Sequence, residues 1–65
     1  MQSEDDAIAL RYREHAEELR TASTEAIDFR TRTTLMQLAE EYERLARTQD
    51  VIARSNETLR RIRNG

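Results

Sequence analysis

The chain has 65 residues, a net charge of −2, apolar and charged residues at 37% each, and no cysteine. That length allows one small domain, and the missing thiols exclude disulfide staples. Twelve residues are Leu, Ile, Val or Phe and eight are alanine, while a single core in a chain below about 70–80 residues rarely supplies more than about 3–5 kcal/mol. A homo-oligomer is therefore expected, with a dimer favoured.

No apolar run of about 18 residues is present and the N-terminal MQSEDD is acidic, so neither a membrane span nor a signal peptide is expected. The expected location is the cytoplasm. All eleven basic residues are arginine, a usage that together with the alanine content points to a GC-rich bacterial genome. Residues 1 to 28 carry eight acids against three arginines, and residues 29 to 65 carry five acids against eight arginines. An acidic first half thus meets a basic second half favourably, within one chain or between chains.

In chain order, Ser3 followed by Glu4, Asp5 and Asp6 reads as an N-cap with acids in the first turn, where they face the positive end of the helix dipole. Ile8, Tyr12, His15, Leu19, Ala22, Ala26 and Phe29 then recur at spacings of four and three and form a first amphipathic stripe. A second stripe comprises Leu35, Leu38, Tyr42, Leu45, Gln49, Ile52, Asn56 and Leu59. Continuing the first stripe would land instead on Thr33, Met36, Glu40, Glu43 and Arg47, two residues or about 200° out of step. The chain must break between them. The stretch TASTEAIDFRTRTT has modest helix propensity, and Asp28 is suited to capping a new helix.

The predicted fold is all-α: one hairpin domain over residues 1–65, with a first helix at about 4–23, a turn at about 24–28 and a longer second helix at about 29–62. Dimerisation into a four-helix bundle or coiled coil is expected. Pairing back from the turn sets Leu19 near Leu35, Tyr12 near Tyr42 and Ile8 near Leu45. The section from Leu38 to Leu45 is thereby satisfied inside the chain, and Ile52, Ala53, Leu59 and Ile62 are left without an intramolecular partner.

From Leu38 to Thr58 the second helix runs through the heptads LAEEYER, LARTQDV and IARSNET. Alanines 39, 46 and 53 flank its seam, and small residues at that spacing allow close approach of a neighbouring helix. Glu40 with Arg44, Glu43 with Arg47, Asp50 with Arg54 and Glu57 with Arg61 stand at i, i+4 in the favourable orientation. The expected interface is Leu38, Tyr42, Leu45, Gln49, Ile52, Ala53, Asn56, Leu59 and Ile62, with Gln49 and Asn56 as polar seam positions of the kind that fix register.

No catalytic constellation is legible. The chain lacks a cysteine nucleophile, a Gly-rich phosphate loop and any Glu-x-x-His motif, and its one histidine, His15, reads as a packed or half-exposed residue. No cofactor, metal or enzymatic activity is expected. Arg54, Arg60, Arg61 and Arg63 form a basic end with Glu57 as its one acid. Such an end makes phosphate contacts in an alternative reading, a small dimeric RNA-binding regulator. The net charge and the lack of an aromatic stacking row weigh against it.

The segment YREHAEELR, followed by RTTLMQLAEEYERLA, resembles a group of short, uncharacterised helical proteins common in alphaproteobacteria. Their recurring pattern is Y-R-x-x-A-E-E-L-R, then R-x-x-L-x-x-L-A-x-x-Y-E-x-L-A. The matching positions are Tyr12, Arg13, Ala16, Glu17, Glu18, Leu19 and Arg20 in the first part. In the second they are Arg32, Leu35, Leu38, Ala39, Tyr42, Glu43, Leu45 and Ala46. The match spans Tyr12 to Ala46, about half the chain. Members often carry Asp-Pro where the second helix starts, and this chain has Asp28-Phe29, which keeps the cap and loses the proline. The resemblance implies a helical fold and brings no activity with it. The functional expectation is a non-enzymatic, self-associating module for protein–protein interaction, its partner a second copy or another helical protein.

Overall fold

With no proline and its one glycine at position 65, the chain has nothing to interrupt a helix except weak propensity and capping. The structure, a computed structural model that describes residues 4–64, is an all-α hairpin of α1, Glu4–Glu25, and α2, Phe29–Asn64. Ser3, the expected cap of the first helix, lies outside the described residues. The 22 residues of α1 lie along the 36 of α2, and the Cα extents of 56 × 18 × 9 Å describe a layer one helix thick. Among the described residues, no helix is long and apolar enough to cross a membrane.

The turn is shorter than the sequence implies. Ser23 and Thr24 stay helical because both hydroxyls donate back to the Arg20 carbonyl, at 2.8 and 3.0 Å, which removes their competition for backbone groups. Three residues, Ala26 to Asp28, reverse the chain. The Ala26 N–H donates to the Ser23 carbonyl at 3.3 Å, and the Arg32 guanidinium donates to the Ala26 carbonyl at 3.0 Å. Among the described residues no backbone dihedral is left-handed, so the reversal needs no glycine.

Asp28 caps α2. Its carboxylate accepts the Thr31 N–H at 3.2 and 3.3 Å and the Thr31 hydroxyl, while its carbonyl accepts the Arg32 N–H at 3.1 Å. The hydrogen bond from the Thr31 side chain, followed by that from the Thr31 backbone, holds this carboxyl below its ordinary pKa.

What closes the hairpin is a double row of small side chains. The buried positions are Ala9, Ala16 and Ser23 on α1 and Ala39 and Ala46 on α2, each set spaced by seven, with Ala53 half-buried as the next member. No large side chain among the described residues is fully buried. The alanines expected beside the seam are thus its centre. Leu38 and Leu45, expected to be satisfied by the first helix, remain 43% exposed because close backbone approach along the alanine row leaves no room for them between the axes. His15 and Phe29, assigned to the first stripe, are exposed for the same reason and, for Phe29, because it opens α2 at the turn.

Replacing Ala46 with leucine should therefore destabilise the hairpin by about 1–3 kcal/mol, since an enlarged side chain there must push the axes apart; urea titration followed by circular dichroism gives the value. Asp28→Ala should lower the melting temperature by about 5 °C through loss of the cap. A carboxyl with a depressed folded-state pKa stabilises above its unfolded value and loses that contribution as pH falls through the folded one. The wild-type melting temperature should accordingly fall on acidification below about pH 4 by more than that of Asp28→Asn, which keeps a capping oxygen and cannot titrate.

Candidate interaction interface

The two flanks of the alanine row carry opposite chemistry. At about 100° per residue, Arg13 and Arg20 lie about 40–60° to one side of Ala16, and Glu43 and Asp50 lie a similar angle to one side of Ala46. These four residues meet across the hairpin. Arg20 donates to Glu43 through Nε at 2.8 Å and through Nη2, and Arg13 pairs with Asp50. Both pairs repeat every seven residues. Arg13, Arg20 and Glu43, with Glu17 and Arg47, line a shallow charged groove on this face.

On the opposite flank the Tyr12 and Tyr42 rings stand 5.9 Å apart at 44°, and the His15 ring lies 5.3 Å from Tyr42 at 32°. The side chains of Ile8, Leu19 and Leu35 are half-buried on this side. Beyond them stand Leu38, Leu45, Ile52 and Leu59, a row with seven-residue spacing whose members are 39–55% exposed. Of the interface residues expected from sequence, those from Leu38 to Leu59 lie on or beside this face, and Ile62, about 180° from Ala53, lies off it. Tyr42, Gln49 and Ala53 sit half-buried at its inner edge, Leu38, Leu45 and Ile52 lie open along its length, and Asn56 and Leu59 extend it onto an exposed arm. Ala53 is half-buried, and every described residue from 54 onward is exposed.

Gln49 has one unusual feature. Its Oε1 is buried and has no hydrogen-bond partner, an arrangement that costs free energy. Thr48, beside it, is better served, because its hydroxyl donates to the Arg44 carbonyl at 3.1 Å.

The charge pairs differ from the expected set. Of the four i, i+4 pairs, Glu57 with Arg61 forms, at 2.9 Å. Glu43 and Asp50 turn to Arg20 and Arg13 of α1 instead, and Arg44 takes Glu41 at i−3, 2.7 Å away. A cross-helix bond to a half-exposed arginine competes with a solvated pair along one helix and ties the two elements together. His15 Nδ1 lies 3.6 Å from Glu18 Oε2, and both side chains are well exposed.

Arg54, Arg60, Arg61 and Arg63 are all exposed. At 100° per residue they spread over about 180° of the helix and do not form one stripe. Val51, Arg54, Ser55, Thr58 and Leu59 outline a shallow, mostly apolar depression along the same arm. Sequence reasoning missed the Arg13/Arg20 to Asp50/Glu43 ladder. Its signal was present, since both arginines and both acids stand seven apart.

Comparison with protein-family models, with curated proteins and with solved structures finds no match.

The ladder generates a test of hairpin register. Arg20→Glu should lower the melting temperature by placing two carboxylates together, and adding Glu43→Arg should restore most of the loss. The difference should shrink in 1 M salt, where the Debye length is about 3 Å. A double variant no better than the single one would place these side chains apart.

Proposed function

We propose that this chain is a non-enzymatic helical protein that associates with a second copy through its apolar face, forming a four-helix bundle, and works as a protein–protein interaction or adaptor module. One observation carries the reading: four large aliphatics in heptad register stay 39–55% exposed while the hairpin's own buried set is alanine and serine. Two such layers placed face to face would give each side chain the cover that the hairpin withholds. Completing the burial of one of them is worth on the order of 1 kcal/mol. The charged face opposite has no comparable reason to be covered, because its arginines and acids already meet one another. The same apolar face suits a different helical protein of matching heptad pattern, which would enter in place of the second copy.

Sedimentation or light scattering at micromolar concentration tests this reading, with a mass of twice the chain's 7.7 kDa expected. Leu38→Asp or Ile52→Asp should weaken association by about 100-fold or more, because a two-fold dimer carries each buried charge twice. Arg47→Asp, on the charged face, should leave the mass unchanged. A stable, cooperatively folded monomer, or equal effects on the two faces, would overturn the reading.

A further inference from the structure

We propose that the two copies pack α2 against α2 in antiparallel sense, about a two-fold axis that crosses the helices beside Thr48, so that the arginine-rich arm of each lies along residues 33–43 of the other's α2, which hold Glu40, Glu41 and Glu43. The proposal rests on self-association through the apolar face and adds its orientation and register.

Two hairpin layers stack face to face in two symmetric ways. With the axis running along the helices, both arms project from the same end of the bundle. Each is then faced only by the other arm, which carries the same charge. With the axis perpendicular to the helices, the arms project from opposite ends, and each is laid along the body of the other copy. The midpoint of the row Leu38, Leu45, Ile52 and Leu59 falls between Thr48 and Gln49. Turning the row over about that midpoint sets Leu38 opposite Leu59 and Leu45 opposite Ile52 of the second copy.

The same operation sets residues 54–64 opposite residues 33–43. The first segment holds Arg54, Arg60, Arg61 and Arg63 against Glu57, a net +3, and the second holds Glu40, Glu41 and Glu43 with no basic residue, a net −3, with Glu43 held by Arg20 on the charged face and Glu41 beside Arg44. Both segments carry exposed charge, with Glu40 and Glu41 on one and all four arginines on the other. The antiparallel arrangement brings these opposite charges together, and the parallel one brings like charges together.

The residues at the midpoint suit an axis. The Thr48 hydroxyl is already bonded to the Arg44 carbonyl, so its donor is satisfied where the two copies approach. Gln49 lies alongside with its orphaned Oε1, and rotation of its amide toward the axis offers it the amide N–H of the second copy's Gln49. A polar residue of this kind at a helix contact favours one register over its neighbours.

Cysteine cross-linking tests the arrangement on the full chain, whose lack of native thiols makes each introduced one unique. Thr48→Cys alone should convert to a covalent dimer on mild oxidation or with a short bismaleimide. Leu59→Cys alone should not, since its two copies stand about 30 Å apart along the bundle. A mixture of Leu38→Cys and Leu59→Cys chains should link. Self-linking of Leu59→Cys would establish the parallel arrangement and overturn the proposal. A dimeric mass without linking at Thr48 would overturn it as well. A monomeric mass for the parent chain would remove the underlying reading itself, so the two failures are distinguishable.

Discussion

Close approach of α1 and α2 along two rows of small side chains decides everything else in this molecule. Alanine and serine reach little beyond Cβ, so a contact through Ala9, Ala16, Ser23, Ala39 and Ala46 brings the helix backbones together and encloses almost no volume. Larger side chains are displaced to the flanks. A hairpin closed through leucine would have consumed its apolar residues internally and presented polar surface on both faces. Closed through alanine, it becomes a thin layer with a charged face and an apolar face, and the apolar one is left unfinished. The weakness of the intramolecular core and the availability of the outer face are one fact seen from two sides.

The charges follow the same geometry. The composition suggests acids of the first half meeting arginines of the second, yet two pairs that cross the hairpin run the other way, from Arg13 and Arg20 to Asp50 and Glu43. Position overrides the average. Arginines seven apart on α1 and acids seven apart on α2 fall on the same flank of the small-residue rows, where long side chains bridge the two helices without entering the contact. At about one-third to one-half exposure, these pairs contribute more to alignment than to stability. Their use within the hairpin leaves the surplus acid of α1 and the surplus arginine at the end of α2 to act outside it.

The two-helix architecture was legible because it depends on period and capping, both of which are local. A two-residue slip between stripes located the reversal, and Asp28 marked the start of α2, where it accepts the Thr31 N–H. The pairing of Tyr12 with Tyr42 followed from the same register. What the pattern hid was the rotation of α2 about its own axis. A heptad with leucine at one position and alanine at the next is equally periodic whichever of the two faces inward, and hydrophobicity favours leucine. Close packing favoured alanine, turning Leu38, Leu45 and Ile52 outward. The signal for that choice lay in the first helix, where Ala9, Ala16 and Ser23 repeat at the same spacing and offer small residues with small ones. The helix ends were hidden for another reason, since Ser23 and Thr24 prolong α1 by bonding back to Arg20, a local satisfaction that average propensities do not describe.

A face that completes the core on association makes folding and assembly one equilibrium. Any species that covers Leu38, Leu45, Ile52 and Leu59 would stabilise the hairpin by an amount that grows with the logarithm of its concentration over its dissociation constant. Under the proposed function, a second copy and a foreign helix with the same heptad spacing would compete for one surface, with an outcome set by their concentrations and by how well each meets the charges beside the row. Leucine alone discriminates poorly between partners, because apolar contact has little directional content. Under the proposed pairing, discrimination falls to Gln49 beside the row and to the opposed charges of residues 40–43 and 54–64, where a partner of the other sense would set arginine against arginine.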